Sequence, residues 1–389
     1  MTNKKNVVVA LPGIAKRDVP FAEKCALEME ELGNVATLVE ADTSDTEGFL
    51  ALAKNADGVL TSWGMRFTPE VIHALKQCAI IGVGSVGVDM VDVDAATDAG
   101  IVVTNVPDIF IEEVADHTMM LLLGCYRRVK LMDKMVSEGR WYKGRPVFND
   151  IPRIWGQTLG LISFGNVARA VARRAKPFGL NVIAYDPYVS ELKMTGEGVE
   201  PVSYQELLER SDYISVHPGL NDDSHHMLST SQFEIVKDSV CIINCGRGPV
   251  IDEKAMIHAL QTGQIAAAGL DVLEKEPPDP DNPLIGMDNV IITPHSASAT
   301  SRMRIETRRR AAREVARVAV AAAALACLAR CCTSVAATAH GSGRRISNTL
   351  SRRTASRFMR SLASCGGYGS LAAPIDGASL VKRLVLIGR

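Results

Sequence analysis

The chain has 389 residues, 47% of them hydrophobic and 22% charged, and its formal net charge is −1. This length allows two domains with sizeable cores, and the composition is that of an ordinary globular protein. The near-zero charge does not indicate nucleic acid or an anionic membrane as a partner, and no apolar run reaches the roughly 18 residues of a membrane span. The nine cysteines are scattered, without a CxxC pair or zinc-like spacing, so we expect a reducing cytoplasmic compartment and no metal.

The first hundred residues alternate short apolar runs with helical patterns. The first run, 7–11, is too short for a signal peptide and ends at Pro12-Gly13, so we interpret it as a strand. Strands that alternate with helices predict a parallel sheet covered on both faces. The predicted strands are 7–11, 35–39, 58–61, 80–83 and 101–104, and the predicted helices are 22–32, 46–53, 69–76 and 93–99.

Residues 111–128 form one long helical pattern that is apolar over a wide arc. Such a helix is buried, either between domains or against a second subunit. The segment 141–155, with aromatic residues and prolines, is a second candidate for contact with a partner chain. These two features predict a homodimer.

A second alternating block runs from 158 to 295. Its clearest unit is a strand at 158–164, a turn at Gly165, a helix at 166–178 and a second strand at 181–185. Two alternating blocks predict an α/β protein with two doubly wound parallel-sheet domains of the Rossmann or flavodoxin type.

The last part of the chain has a different character. Residues 318–389 contain ten Lys and Arg residues, one acid (Asp376) and no glutamate, and they are rich in Ala, Ser and Cys. Such a segment is either a basic arm for nucleic acid or a disordered or non-native tail, for example from a shifted reading frame. The second interpretation is favoured because no aromatic residues interleave with the basic ones to stack on bases. Loss of folding or activity on deletion of 318–389 would contradict it.

The turn in the second block has the pattern of a dinucleotide-binding fingerprint, G-x-G-x-x-G/A. It reads Ser-Phe-Gly-Asn-Val-Ala over 163–168, with Ser163 in place of the first glycine. Gly165 lets the backbone approach a pyrophosphate, and the N–H groups of Asn166 and Val167 face that anion. Asp186, 21 residues after Gly165, ends the next strand. A carboxylate there binds the ribose hydroxyls and repels a 2′-phosphate, so we predict NAD(H) rather than NADP(H).

Three further polar residues follow apolar runs of the second block. Arg247 follows the run 240–244, Glu276 lies beyond 266–270, and His295 comes just after 290–293. Because the carboxyl ends of parallel strands line one crevice, these side chains can meet. An arginine that holds an anion, a histidine that moves a proton and a carboxylate that orients the histidine form an acid–base site. The glycines on both sides of Arg247 would let a ligand reach the backbone.

Other residues are expected to lie around this site. His217 ends the run 213–216 and is expected to line the cofactor cleft, and Asp271 lies where it can reach the cofactor ring. Cys245 also borders the cleft, where a small apolar filler is the favoured interpretation.

The remaining histidines are weaker candidates for a functional role. His73 and His258 lie in amphipathic patterns and are expected at the surface, and His117 is expected to be a satisfied core residue. The pair His225-His226 would suit a metal, but no third ligand is near in sequence, so we interpret it as part of a loop.

The ordered motifs of residues 6–317 resemble those of D-isomer-specific 2-hydroxyacid dehydrogenases. They are VGVD (86–89), TNVP (104–107), EVADHT (113–118), the fingerprint of 160–186, NCGRG (244–248) with Asp252-Glu253, LDV (270–272) with Glu276-Pro277, and TPH (293–295). The run HPGLN (217–221) is similar to the branch that includes the C-terminal-binding proteins, which are NAD-binding corepressors. The resemblance thus points to a phosphoglycerate dehydrogenase-like or C-terminal-binding-protein-like branch.

The resemblance implies roles for these residues. Arg247 would hold the substrate carboxylate and carbonyl, His295 would protonate the carbonyl oxygen as hydride arrives, and Glu276 would orient the imidazole and favour its protonated form. Cofactor contacts would come from Gly165, Asn166, Val167, Asp186, His217, Pro218, Asn221, Cys245, Gly246 and Asp271, the last of these at the nicotinamide amide. Backbone N–H groups around Ser85, Val86 and Gly87 would bind the substrate carboxylate from the other domain.

The resemblance also implies the division of the chain. Residues 1–107 would form a substrate-binding domain, completed by a helix at about 297–317, and 108–296 would form the NAD-binding Rossmann domain. The active site would lie in the cleft between them, and a homodimer would form through the NAD-binding domain. The tail 318–389 has no counterpart in the family.

Departures from the family bear on the substrate. A Thr-Ser-Trp run at 61–63 stands where many relatives carry an arginine, which weakens a phosphoglycerate assignment even though Arg66 is near. Val83 replaces another arginine, and Ser85 replaces a glycine. The tryptophan of that run and Met65 indicate a partly apolar pocket.

Two functions are open at this point. The first is an NAD-dependent oxidoreductase that transfers a hydride between the nicotinamide and a small D-2-hydroxy acid or 2-oxo acid. The alternative is a non-catalytic NAD(H)-sensing protein of the C-terminal-binding-protein type. The presence of Arg247, Glu276 and His295 together favours catalysis.

Overall fold

A computed structural model of the protein describes residues 5–11, 19–42, 45–62, 64–142 and 148–319. Trp63 and residues 320–389, on which the apolar-pocket and basic-tail predictions partly rest, lie outside the described residues. The described chain divides into two compact units. The first contains the residues up to Pro107 and those from Ile305 onwards, and the second is Asp108–Arg304.

The first unit is built on a five-stranded parallel sheet. Its elements are β1 (Lys5–Leu11), α1 (Phe21–Lys24), α2 (Ala26–Leu32), β2 (Ala36–Asp42), α3 (Thr46–Ala53), β3 (Gly58–Thr61), α4 (Pro69–Ala74), β4 (Ile80–Val83), α5 (Val93–Asp98) and β5 (Val102–Thr104). The strand order β2-β1-β3-β4-β5 is that of flavodoxin-like folds.

The second unit is built on a seven-stranded parallel sheet. Its elements are α6 (Ile111–Tyr126), α7 (Val129–Ser137), β6 (Thr158–Ile162), α8 (Asn166–Ala175), β7 (Asn181–Tyr185), α9 (Glu191–Gly196), β8 (Glu200–Pro201), α10 (Tyr204–Arg210), β9 (Tyr213–Val216), α11 (Thr230–Phe233), β10 (Cys241–Asn244), α12 (Glu253–Thr262), β11 (Ala267–Leu270), α13 (Pro283–Gly286) and β12 (Val290–Ile292). Two short 3-10 helices, Lys176–Phe178 and Gly248–Val250, complete it. The order β12-β11-β10-β9-β6-β7-β8 is the Rossmann order, extended by β12.

Both predicted doubly wound parallel-sheet domains are therefore confirmed. In the second sheet the strand order reverses between β6 and β9, and ligands of open α/β sheets bind at such a switch point. The turn at Gly165 follows β6 and His217 follows β9, so the fold places the fingerprint and His217 at that crevice.

The last described helix, α14 (residues 301–319), returns the chain to the first unit. Ala311, Ala312 and Val315 are buried against the sheet, together with Val7 and Ile80. The Arg308 guanidinium binds both carboxylate oxygens of the buried Glu28, each at 2.6 Å. A bidentate pair of this kind fixes the position of α14 against α2.

The helix α6 is buried, as its pattern predicts, and it has neighbours that were not predicted. It packs against β10, β11 and α8 of its own unit. Its inward residues Leu121 and Leu122 are fully buried there. The sheet supplies the partner because each face of a parallel sheet must be covered by helices.

Some predicted element bounds are wrong for local backbone reasons. The strand predicted to reach residue 164 ends at Ile162, because Ser163 takes a left-handed conformation with φ 71°. The helix predicted to reach 128 ends at Tyr126, and Arg128, with φ 54°, turns the chain into α7, which was not predicted. Among the described residues, no helix has the length and apolar character needed to cross a membrane.

Candidate active site

Arg247, Glu276 and His295 lie in the loops that follow β10, β11 and β12. These strands are neighbours in the sheet and run parallel, so their carboxyl ends share one edge. Three segments separated along the chain are thereby brought to one side of the second unit.

His295 and Glu276 form a hydrogen-bonded pair. The distance between His295 Nδ1 and Glu276 Oε2 is 2.7 Å, and the other carboxylate oxygen, Oε1, accepts a bond from the Leu273 N–H at 3.0 Å. Because both oxygens of Glu276 have partners, the carboxylate is held in one orientation. The pair uses Nδ1 of the ring, so proton exchange with a substrate would use Nε2.

The backbone at His295 is strained. Its φ of 49° lies in the left-handed region, which is uncommon for residues other than glycine, although Asn, Asp and His adopt it more often than the rest. Its N–H donates to the carbonyl oxygens of Asp271 at 2.8 Å and Thr293 at 3.0 Å. Residues held in such conformations cluster at functional sites, where the surroundings enforce them.

The electrostatics of Glu276 follow from its neighbours. Burial would by itself raise the pKa of this carboxyl, but the hydrogen bonds from His295 and the Leu273 N–H, with the positive charge of Arg247, bring its pKa below the usual value. Glu276 is therefore an anion at neutral pH and can accept a hydrogen bond from the imidazole.

The side chain of Asp271, which follows β11, binds the loop that carries His295. Its side chain is only 1% exposed. Oδ1 accepts from the Thr293 hydroxyl at 2.5 Å and the Ser296 N–H at 2.9 Å, and Oδ2 accepts from the Ala297 N–H at 2.8 Å. A buried carboxylate with three such donors fixes the chain on both sides of His295.

The loop of Arg247 packs directly on the loop of Glu276. A Cβ atom on Gly248 would lie 1.9 Å from the Leu273 carbonyl oxygen, so only glycine fits. The buried Asn244 side chain shapes the same turn, because it accepts from the Gly246 N–H and donates to the Arg247 carbonyl, both at 2.9 Å. The glycines beside Arg247 were predicted to let a ligand reach the backbone, but the space beside Gly248 is filled by the neighbouring loop at Leu273.

The fingerprint turn fits a dinucleotide. Gly165 has φ −74°, and a Cβ atom placed on it would meet no atom within 4 Å. The space beside this glycine is thus open, as the approach of a pyrophosphate requires. No side chain caps the start of α8 at Gly165, and Asn166 and Val167 are the first residues of that helix. Their N–H groups therefore remain for an anion.

The other predicted cofactor residues lie at the same carboxyl edge. His217, Pro218 and Asn221 follow β9, and Cys245 and Gly246 follow β10. Burial lowers the pKa of His217 to about 4 and raises the pKa of the Cys245 thiol to about 12, so both are neutral at pH 7. A neutral Cys245 agrees with the interpretation of a packing residue.

Ser85, Val86 and Gly87 belong to the first unit, in the loop after β4. The Ser85 hydroxyl donates to the Gly87 carbonyl at 2.7 Å, and the Asn105 side chain donates to the Val86 carbonyl at 2.7 Å. Among the hydrogen bonds of the described residues, none uses the N–H of Val86 or Gly87. The loop is thus held by its carbonyl groups, with these two donors left for an anion.

Comparison with known proteins assigns this arrangement to a family. Residues 119–297 match the family model described as D-isomer specific 2-hydroxyacid dehydrogenase, NAD binding domain. A glyoxylate reductase of Korarchaeum cryptofilum is 39% identical over 264 residues, which cover 68% of this chain and 78% of that protein. The chain belongs to the D-isomer-specific 2-hydroxyacid dehydrogenase family. NAD is its cofactor, as the fingerprint predicts.

Two further proteins show how far the similarity of this family member extends. A D-3-phosphoglycerate dehydrogenase of Methanocaldococcus jannaschii is 40% identical over 283 residues, which cover 72% of this chain and 52% of that protein. The chain thus spans about half the length of that curated relative. The crystal structure of D-lactate dehydrogenase from Aquifex aeolicus, complexed with NAD and lactic acid, has a TM-score of 0.70 and 29% identity. It covers 80% of this chain and 94% of its own.

The sequence did not predict one contact near the site. His117 was expected to be a satisfied core residue, and its Nε2 does have partners: it lies 2.9 Å from the Thr293 hydroxyl and 3.5 Å from Asp271 Oδ1. It is thus part of the network that holds the His295 loop. No spacing in the sequence joins positions 117 and 293, which meet because α6 crosses beside β12.

Asp186 also does more than was predicted. Its Oδ2 accepts from the Phe164 N–H at 2.8 Å and the Ser163 hydroxyl at 3.1 Å, and its Oδ1 accepts from the N–H groups of Tyr188 and Val189. The carboxylate therefore fixes the fingerprint turn, including Ser163 with its positive φ.

The apolar pocket predicted from Trp63 and Met65 is partly corrected. Met65 is 5% exposed and packs in the core of the first unit, where Val83 is also buried. Neither side chain is available to line an open pocket. Both pack inward because apolar side chains next to a parallel sheet complete its core.

Proposed function

We propose that this dehydrogenase reduces a small 2-oxo acid to the D-2-hydroxy acid, or carries out the reverse reaction, with His295, Glu276 and Arg247 as its catalytic residues. The observation that supports this most is the His295–Glu276 pair, with an oriented ring and an anionic carboxylate beside the loop of Arg247. A proton carrier oriented by a carboxylate is what carbonyl reduction requires.

Each of these residues has a separate role in the proposed reduction. NADH, when bound, supplies the hydride to the carbonyl carbon. The protonated His295 gives a proton from Nε2 to the carbonyl oxygen, so the 2-oxo acid gains one hydride and one proton and becomes the 2-hydroxy acid. Glu276 holds the ring in its orientation through the hydrogen bond to Nδ1. Arg247 binds the substrate carboxylate and carbonyl, and the Val86 and Gly87 N–H groups bind the carboxylate from the first unit.

We propose that residues 1–107, with the helix at about 297–317, form the substrate-binding domain and that residues 108–296 form the NAD-binding domain. The Val86 and Gly87 N–H groups in the first unit and the fingerprint turn in the second support this division.

A substrate panel tests the proposed function. The purified protein with NADH is assayed against glyoxylate, hydroxypyruvate, pyruvate and longer 2-oxo acids. We expect turnover with at least one of them. No turnover with any member, alongside tight NADH binding, would instead favour the NAD(H)-sensing binder. Because the first-domain arginines are replaced at 61–63 and 83, we expect phosphorylated substrates to be poor.

The preference between the two nicotinamide cofactors gives a direct prediction for Asp186. A 2′-phosphate would approach this carboxylate, and repulsion between like charges disfavours it. We expect kcat/KM to be at least about tenfold higher with NADH than with NADPH, corresponding to roughly 1.4 kcal/mol. Equal or better kinetics with NADPH would overturn this role for Asp186.

Gly165→Ala separates cofactor binding from stability. The new Cβ meets no protein atom within 4 Å, and φ −74° suits alanine, so we expect no loss of thermal stability. The methyl group would instead occupy the space of the pyrophosphate, and the Kd for NADH should rise by at least about tenfold. Calorimetric titration and thermal unfolding measure the two effects. A lower melting temperature with unchanged NADH affinity would contradict the assignment of Gly165 to the pyrophosphate site.

We also propose a homodimer formed through the NAD-binding domain. That unit exposes several large apolar side chains, among them Val129 (50%), Val136 (55%), Trp141 (59%) and Trp155 (64%). These exposed side chains support the proposed contact if they form one continuous patch on the surface. Size-exclusion chromatography with light scattering should give twice the 41.8 kDa mass of one chain. A stable monomer at micromolar concentration would reject the dimer.

The proposed location is the cytoplasm. The described cysteines, Cys25, Cys78, Cys125, Cys241 and Cys245, are all free thiols. Free buried thiols agree with a reducing compartment.

A further inference from the structure

A cluster of metal-ligating side chains lies outside the proposed active site. Among the described residues, one group of three such side chains has its ligand atoms within 4.8 Å of one another: His225, His226 and Glu274. In the sequence the two histidines had no third ligand nearby. The structure supplies it from a loop 48 residues further along the chain, where Glu274 Oε1 lies 2.7 Å from His226 Nε2.

The backbone holds all three side chains in place. His226 has a left-handed backbone with φ 51°, and its N–H donates to the Pro249 carbonyl at 2.8 Å. The His225 N–H donates to the Asn221 carbonyl at 2.9 Å. The two imidazole rings are stacked, with centroids 4.0 Å apart. Adjacent histidines normally point apart, so this backbone conformation is what brings both rings to one side.

Glu274 is held in place by Glu253 through two hydrogen bonds. Its Oε2 accepts from the Glu253 N–H at 3.2 Å, and its own N–H donates to Glu253 Oε2 at 3.0 Å. The second oxygen, Oε1, therefore points towards His226. A carboxylate ligand that is fixed by a hydrogen bond on its other oxygen is typical of metal sites, because the outer partner sets the ligand's orientation.

We propose that His225, His226 and Glu274 bind one divalent transition-metal ion of the zinc type. Two imidazoles and one carboxylate are ligands that Zn²⁺ accepts, with water at the fourth tetrahedral position. Ligand atoms around tetrahedral zinc lie about 3.4 Å apart, so small side-chain rotations from the present separation of up to 4.8 Å suffice. His225 and Glu274 are exposed, which leaves a path for the ion.

The ion would cross-link two loops of the second unit. The histidines belong to the loop after β9, and Glu274 belongs to the loop after β11 that also carries Glu276. Metal binding would therefore restrict the segment from Leu273 to Glu276. The site itself does not depend on the proposed reaction, because none of its ligands is assigned a part in hydride or proton transfer.

Metal titration of the full chain without an affinity tag tests the proposal. Protein stripped with a chelator is titrated with Zn²⁺, and binding of Co²⁺ is followed by visible absorption. We expect one equivalent of Zn²⁺ to bind at this site, a tetrahedral Co²⁺ spectrum without the strong thiolate band that cysteine ligands give, and no binding of Mg²⁺ at similar concentrations. Thermal stability should rise with Zn²⁺.

Matched variants locate the ion. Loss of a direct ligand in His225→Ala or Glu274→Gln should weaken Zn²⁺ binding by at least the roughly 10–100-fold seen for changes around metal ligands. His258→Ala, which removes another exposed histidine, should leave it unchanged. The proposal is overturned if the double variant His225→Ala/Glu274→Gln keeps the equivalent of Zn²⁺, or if Co²⁺ shows thiolate coordination. Both results would place the ion elsewhere.

Discussion

Replacement of His295 by asparagine or alanine is expected to lower turnover by about 10²–10⁴ while NADH binding stays intact. Both variants lack a group that can give a proton to the carbonyl oxygen. The dinucleotide turn at Gly165 follows another strand, β6, and is not altered by the change. Single-turnover assays and NADH titration measure the two quantities separately.

The two variants differ in stability, which separates chemistry from backbone strain. His295 has φ 49°, which asparagine tolerates and alanine does not. Alanine should therefore reduce the free energy of unfolding by about 1–2 kcal/mol more than asparagine does, with similar turnover in both variants. His258→Ala is the control for loss of a surface histidine. Turnover close to that of the unaltered protein in His295→Asn would remove this residue from the mechanism.

Gly248→Ala is expected to disrupt the site from a position that touches neither the cofactor nor the proton. The added Cβ would lie 1.9 Å from the oxygen and 2.1 Å from the carbon of the Leu273 carbonyl. Both are backbone atoms, so one of the two loops must move by more than 1 Å. Overpacking of this kind reduces the free energy of unfolding by about 1–3 kcal/mol, and a 1 Å misplacement of reacting groups lowers activity by about 10²-fold.

A second glycine of the same unit gives the matched control. Gly286, at the end of α13, has no atom within 4 Å of its Cβ position and no positive φ. Gly286→Ala should keep both stability and kcat/KM. If Gly248→Ala behaved like Gly286→Ala, the close packing of the Arg247 and Glu276 loops would not be needed for the site.

Much of this protein could be predicted from local sequence. Alternating apolar runs and amphipathic patterns gave both parallel-sheet units, and the fingerprint at 163–168 with Asp186 predicted the NAD cofactor, which the family match confirms. These signals are local: a strand, its turn and the next helix are adjacent in the chain. The same logic placed Arg247, Glu276 and His295 at the ends of three strands that the structure shows to be neighbours.

The contacts between those loops could not be predicted from the sequence. The support of the His295 loop by Asp271 and His117, the fit of Gly248 against Leu273 and the meeting of Glu274 with the two histidines all join segments separated by 20 or more residues. Such contacts depend on strand order and on the backbone angles of single residues, such as φ 49° at His295 and φ 51° at His226. Local patterns in the chain predict which chemical groups the site carries and that they follow strands of one sheet. Which of these groups touch depends on strand register and loop packing, because these set distances that spacing along the chain does not contain.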